Sequence, residues 1–238
     1  MTSIKPWLQS LDKERSSTPE LISFNATRKA VGWLGILLPL ALLTGSFLFG
    51  DCCKLQPSIS HYYYTNMREV FVGVLCAVSL FLFTYKGHNA WDSISANLAG
   101  LFALGVAIFP TDIADYACQE DVQAVFAIAA NNTLHYISAA SLFITLACIS
   151  LFLFTKSNKP KSEWSKQKIR RNLVYKLCGI VMVICIASIF IYKVLLKYND
   201  TNTLTFWMET FALAAFGISW LTKGEALLGD TDGEKMKK

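Results

Sequence analysis

From Leu134 to Asn172 the chain reads LHYISAASLFITLACISLFLFTKSNKPKSEWSKQKIRRN. The first part, through Thr155, contains no Asp, Glu, Lys or Arg, whereas the second carries seven basic residues against one acid. An apolar run of about 20 residues, wound as a helix, matches the roughly 30 Å hydrocarbon core of a bilayer. Lys and Arg concentrated just beyond such a run mark the cytoplasmic flank of a span. This stretch therefore predicts a helix that crosses a membrane and ends on the cytoplasmic side.

Runs of the same kind recur. Hydropathy predicts six spans, at 31–50, 69–85, 93–110, 134–155, 177–196 and 203–222. Of the 238 residues, 53% are hydrophobic and only 16% charged, where a soluble domain usually carries about 25%. The fold class expected is all-α, a polytopic bundle of six transmembrane helices. Residues 1–30 read as a cytoplasmic segment, 31–222 as the transmembrane domain and 223–238 as a cytoplasmic tail. The first 29 residues are polar and mixed in charge, with no short apolar core and no small-residue cleavage site, so the first span is expected to serve as its own insertion signal. Pro39 is expected to kink that span.

Charge sets the orientation. The N-terminal segment, the 156–172 loop, the tail, Lys86 and Lys176 together hold 18 of the 22 basic residues; Lys54, Arg68, Lys193 and Lys197 fall on the other side. The positive-inside rule then places both termini in the cytoplasm. The net charge of +5 is accounted for by this topology, and no nucleic-acid partner is predicted. The basic loop at 156–171 is a candidate patch for anionic headgroups, although topology determination explains it equally well.

The outer loops are then 51–68, 111–133 and 197–202. The second carries Asp112, Asp115, Glu120 and Asp121 and no basic residue; its VQAVFAIAA segment is apolar but too short to cross. Cys118 could form a disulfide with Cys52 or Cys53 if the outer face meets an oxidising compartment. Asn131 and Asn199 begin outer sequons. Ala99, Ala103, Ala212, Ala215, Gly217 and Ser219 are small residues at which helices can approach closely inside lipid. Asn97, in the inner third of span three, should need a partner across a helix interface.

Polar side chains converge at the outer mouth of the bundle. The segment SISHYYYTNMREVFVG (Ser58–Gly73) supplies Ser58, Ser60, His61 and Arg68, span three ends near Asp112 and Asp115, and span four opens with His135, Ser138 lying a turn deeper. Tyr62, Tyr63 and Tyr64 read as an aromatic belt at headgroup level. Glu209 lies about six residues inside span six, a depth at which an ionisable group should face the bundle and find a partner; Arg68 and His135 are the candidates. Ser58, Ser60, His61, Arg68, Asp112, His135, Ser138 and Glu209 form the candidate lipid-binding set, in which Arg68 and His135 would contact phosphate and Glu209 would orient them. No cofactor is predicted. The alternatives are a metal-dependent lipid hydrolase using His61, His135 and Asp112 or Asp115, and a small proton-coupled transporter centred on Glu209. The residues themselves leave open whether any bond is broken, and oligomeric state is unspecified. P-loop, Rossmann, G-x-S-x-G and H-E-x-x-H patterns are all absent from the sequence.

Four motifs, QPSIS (Gln56–Ser60), NLAGLFALG (Asn97–Gly105), LHYISAAS (Leu134–Ser141) and FWMETFALAAFG (Phe206–Gly217), come in an order that resembles the Frag/DRAM/Sfk family of six-pass membrane proteins. The chain is also similar to bacterial six-pass proteins of unknown function, and the YYYTNMREVFVG segment looks closer to that type. The resemblance covers about residues 31–222. It implies a six-helix membrane fold linked to lipid handling, with Ser58, Ser60, Asn97, Gly100, His135 and Glu209 as the residues carried over.

Overall fold

An apolar run that cannot reach water has to satisfy its own backbone N–H and C=O groups, and the α-helix does so within one segment. The computed structural model describes residues 5–49, 54–85, 90–112, 132–157, 160–197 and 202–228. Among these residues the helices are α1 (Lys5–Phe49), α2 (Arg68–Thr84), α3 (Ala90–Ile108), α4 (Asn132–Cys148), α5 (Lys166–Phe190) and α6 (Leu204–Lys223). α4 and α5 each run on into a turn of π-helix, Ile149–Leu153 and Ile191–Leu195, and a 3₁₀ helix occupies Ile59–Tyr64. No strand occurs among the described residues.

Five stretches are long and apolar enough to cross a membrane: Phe24–Phe49, Ala90–Ile108, Asn132–Leu153, Lys166–Leu195 and Leu204–Lys223. These are the dimensions of a multi-pass membrane protein. The remaining apolar helix, α2, has 17 residues and so rises about 26 Å. α1 runs unbroken from Lys5 through Pro39 to Phe49, and its apolar part begins at Phe24. Extending a formed helix adds a hydrogen bond for each residue ordered, so a polar turn can continue from an apolar one.

Neighbours in sequence are neighbours in space. Each helix packs on the next, and α6 closes the ring on α1. One end of the ring is basic: Arg28 lies over the Tyr85 ring at 5.5 Å, Lys223 lies over Phe154 at 5.2 Å, Lys156 is 3.8 Å from Asp92, and Arg171 is 3.8 Å from Glu225. Tyr85, Trp220, Phe154 and Tyr175 stack edge to face beneath these charges. At the other end Tyr64 donates to the Thr111 carbonyl at 2.6 Å and Asn66 to the Phe49 carbonyl at 2.6 Å. Burial pushes the Tyr64 hydroxyl up to about 12, reinforced by Tyr63 and Asp112, so it remains a protonated donor.

The solvent pattern is that of a lipid environment. Leu80, Leu101, Ile137, Phe152, Ile184 and Phe211 point outward, whereas Ser79, Ser150, Ser219 and Thr222 are buried. Two of these hydroxyls donate across helices: Ser79 to the Gly100 carbonyl at 2.7 Å and Ser150 to the Tyr175 carbonyl at 2.9 Å. Having one proton, Ser150 must then accept from Ser219, 2.7 Å away. Asn97 departs from expectation, since it lies on the exposed face of α3 rather than at a helix interface. Its depth was readable from hydropathy, but its direction around the helix was not.

Gly32 and Gly217 bring α1 and α6 into backbone contact. A Cβ on Gly217 would lie 2.5 Å from the Gly32 carbonyl oxygen, and one on Gly32 would lie 2.9 Å from that of Gly217. Small residues at such crossings supply the packing that holds membrane helices together. Gly217→Ala is expected to lower the thermal midpoint in detergent, read by tryptophan fluorescence, because overpacking costs about 1–3 kcal/mol. Gly73→Ala, with nothing within 4 Å of its added Cβ, serves as the control and should leave the midpoint unlowered.

Candidate functional site

Between α1 and α2 the chain enters the bundle without forming an α-helix, apart from the 3₁₀ turns of Ile59–Tyr64. Gln56, Ser58, Ile59, Ser60, His61, Tyr62 and Tyr63 are all buried. A buried segment outside any α-helix has to export backbone hydrogen bonds, and here α6 receives them. Phe206 N–H donates to the Pro57 carbonyl at 2.9 Å, and Ile59 N–H donates to Glu209 Oε2 at 2.7 Å. Within the segment, His61 N–H donates to the Ser58 carbonyl at 3.2 Å, and the Ser58 hydroxyl meets His61 Nδ1 at 2.5 Å. The segment is a plug fastened to the first turns of α6.

The plug roofs one side of a cavity of about 510 Å³. Three helical stripes form the rest. α4 contributes His135, Tyr136, Ala139, Ala140 and Phe143; α5 with its π-turn contributes Ile186, Ile189, Phe190, Lys193 and Val194; α6 contributes Thr205 and Glu209. Each set repeats at the three- and four-residue spacing of one helix face. Ser58, Ser60, Thr111 and Asp112 complete the lining. Polar groups gather at the helix ends nearest the plug, and the wall turns apolar toward Phe143 and Ile186.

The polar groups are held in place by specific bonds. His135 Nδ1 lies 2.8 Å from the Phe109 carbonyl oxygen; a carbonyl only accepts, so Nδ1 carries the proton and a neutral ring presents Nε2 as an acceptor. Asp112 Oδ2 accepts from the Tyr136 hydroxyl at 2.8 Å. Lys193 Nζ sits 5.4 Å from the centre of the Tyr136 ring, in cation–π range. The Thr205 side chain is buried, and its hydroxyl finds no hydrogen-bond partner among the described residues.

Of the sequence candidates, Ser58, Ser60, Asp112, His135 and Glu209 line the cavity. His61 lies behind the wall on Ser58. Ser138 packs against Gly105 on α3. Arg68 is turned to Tyr63, donating to its hydroxyl at 3.1 Å with the guanidinium 4.6 Å from the ring centre. Arg68 is not among the residues that line the cavity, whereas Lys193 is, and Glu209 accepts from the Ile59 amide. Tyr62 and Tyr63 do not form a surface belt, because both are packed in the interior, Tyr62 against Phe206. No group of three or more His, Cys, Asp or Glu able to hold a metal occurs among the described residues. Asp115, Cys52, Cys53, Cys118, the VQAVFAIAA segment, Asn131 and Asn199 lie outside the described residues. Lys193, Thr205, Thr111 and Tyr136 are lining residues that sequence reasoning missed. The signal for Lys193 was its place on the stripe of Ile186, Ile189 and Phe190, where it had been read only as an outer charge.

The arrangement offers carboxylate, imidazole and hydroxyl acceptors beside one ammonium donor, above an apolar groove. It can bind an amphiphile with a charged head. No family model, curated protein or solved structure matches the chain.

Glu209→Ala leaves the Ile59 amide buried without its acceptor, a loss of about 1–3 kcal/mol. The thermal midpoint of this variant should fall. Glu209→Gln retains a carbonyl oxygen for the same bond and should hold the midpoint near that of the parent.

Proposed function

We propose that the protein is a six-pass membrane protein, with both termini cytoplasmic, that binds a lipid headgroup in a cavity at the outer leaflet. The observation that carries this reading is the polarity gradient of the cavity. Its charged and hydroxyl groups cluster beside the plug, while Ala139, Ala140, Phe143, Ile186, Ile189 and Phe190 extend inward along α4 and α5. A lipid of the outer leaflet has the same order, with its head at the interface and its chains directed toward the bilayer centre. Ligand sites elsewhere combine a mostly apolar lining with a few placed polar groups in the same way. The seam between α4 and α5 is also sparser than that between α5 and α6, which suits lateral entry from the membrane.

The six-pass topology rests on α2 and on charge. α2 begins beside Tyr63 at one end of the ring and finishes at Tyr85, under Arg28, at the other. Its 17 residues meet the lower limit of about 17 for a crossing helix. The end that gathers Arg28, Lys156, Arg171 and Lys223 is the cytoplasmic one by the positive-inside rule, and the 156–171 loop there suits anionic headgroups of the inner leaflet. Membership of the Frag/DRAM/Sfk-like group, proposed from the four motifs, points to lipid handling as well.

Protein purified in mild detergent should retain phospholipid, seen by native mass spectrometry. Ala140→Trp, which fills the groove from its open side, should release that lipid without lowering the thermal midpoint, whereas Arg68→Ala should keep it. A parent protein that carries no lipid, or an Ala140→Trp variant that carries it undiminished, would remove this cavity as the site. For topology, a green fluorescent protein fused after Lys238 should fluoresce in bacteria, and alkaline phosphatase at the same position should be inactive; the reverse pattern would invert the orientation.

A further inference from the structure

We infer that the lipid held in the cavity presents a headgroup hydroxyl to it, as a glycerol phosphodiester does; this rests on the lipid reading above. Two buried side chains point to it. Thr205 is only 2% exposed and lines the cavity, and its hydroxyl has no hydrogen-bond partner among the described residues. His135 is 3% exposed and lines the same cavity. Its Nδ1 proton is committed to the Phe109 carbonyl, and no bond to Nε2 occurs among the described residues. A buried polar group left unmatched destabilises the fold, and a valine would occupy the place of Thr205 without that cost.

Both groups are held in place by the fold. Phe206, the residue after Thr205, gives its N–H to the Pro57 carbonyl at 2.9 Å, and Glu209, one turn further along α6, accepts from the Ile59 amide at 2.7 Å. The plug thus grips the turn of α6 to which Thr205 belongs. The His135 ring is fastened at 2.8 Å to the carbonyl of Phe109, just past the end of α3. Groups ordered before a ligand arrives lose little freedom on binding it.

The chemistry of these two groups selects the ligand. Nε2 of a neutral ring protonated at Nδ1 only accepts, whereas the Thr205 hydroxyl both donates and accepts. A phosphodiester oxygen brings an acceptor alone and leaves Nε2 unmatched. An ammonium brings donors alone and leaves the Thr205 proton unmatched. An alcohol hydroxyl does both, so it suits either group. It also reproduces the bonds that a water molecule makes, and a ligand that displaces ordered water without reproducing its bonds loses affinity. Ser58, Ser60 and Thr111, all buried, add further hydroxyl side chains to the same lining. Such a wall recognises a headgroup through uncharged hydrogen bonds as well as through charge.

The test uses the full chain in neutral detergent. Phosphatidylglycerol and phosphatidylpropanol with identical acyl chains share one charge and one headgroup carbon skeleton, and differ only in the headgroup hydroxyls. In competition read by native mass spectrometry, phosphatidylglycerol should exceed phosphatidylpropanol by about tenfold, and it should also exceed phosphatidylethanolamine of the same chains. Thr205→Val, close in volume but without the hydroxyl, should narrow the gap between phosphatidylglycerol and phosphatidylpropanol to about threefold or less without lowering the thermal midpoint. Thr205→Ser should keep the parent's preference. Phosphatidylpropanol bound as well as phosphatidylglycerol, a preference for phosphatidylethanolamine, or a preference untouched by Thr205→Val would overturn the hydroxyl assignment and leave lipid binding standing. A parent protein that binds none of the three would overturn both.

Discussion

Backbone buried in a membrane bundle outside any α-helix is the constraint on which the site depends. Between Gln56 and Thr65 the chain lies inside the ring of helices, where an unpaired N–H or C=O costs on the order of 1–3 kcal/mol. The bond from Ile59 N–H to Glu209 Oε2 meets that demand with a charged acceptor. Its neighbour from Phe206 N–H to the Pro57 carbonyl meets another with backbone alone. Pro57 has no N–H, so that position adds one fewer donor to satisfy. Irregular backbone at such depth is tolerated where it is enclosed by protein or lines a cavity, and the plug does both.

The same bond explains why an acid can reside within α6. A carboxylate in a span is costly unless paired, and here part of the pairing is supplied by a fixed amide rather than by a mobile cation. Arg68 can then turn to the Tyr63 ring and hydroxyl without leaving the acid unsupported. A fixed dipole orients the carboxylate without neutralising it.

Depth along a helix was legible in the sequence; direction around it was not. Uncharged runs flanked by lysines located the helices, and the order of Ser58, Asp112, His135 and Glu209 at span ends was enough to place them in one neighbourhood. Small residues on span six marked the α1–α6 crossing, where Gly217 meets Gly32. Asn97 shows the limit, because hydropathy records that it lies within a span but not that it points outward. The tyrosine triplet shows another: three aromatics near an interface look the same in sequence whether they stand in lipid headgroups or, like Tyr62 and Tyr63, fold back under α6. Lys193 was hidden because a lysine at the end of a span reads as a topology signal, and only the stripe it shares with Ile186 and Phe190 assigns it to a wall. α1 continues on the polar side of its apolar part, since polarity ends a span without ending a helix.

The two ends of the ring solve opposite electrostatic problems. At the basic end Asp92 and Glu225 are each matched by a cation within 4 Å, and the aromatic rings of Tyr85 and Phe154 spread the charge of Arg28 and Lys223. That end is closed, with charges answered by groups of the protein itself. At the plug end the hydrogen bonds to neutral groups include an amide for Glu209, a phenol for Asp112 and a carbonyl for His135. A neutral partner fixes the direction of a charged or polar group without supplying a counter-charge, and these bonds hold polar groups of the cavity beside its apolar wall. The bonds named at the two ends thus differ in the type of partner they use, a counter-charge at one and a neutral dipole at the other.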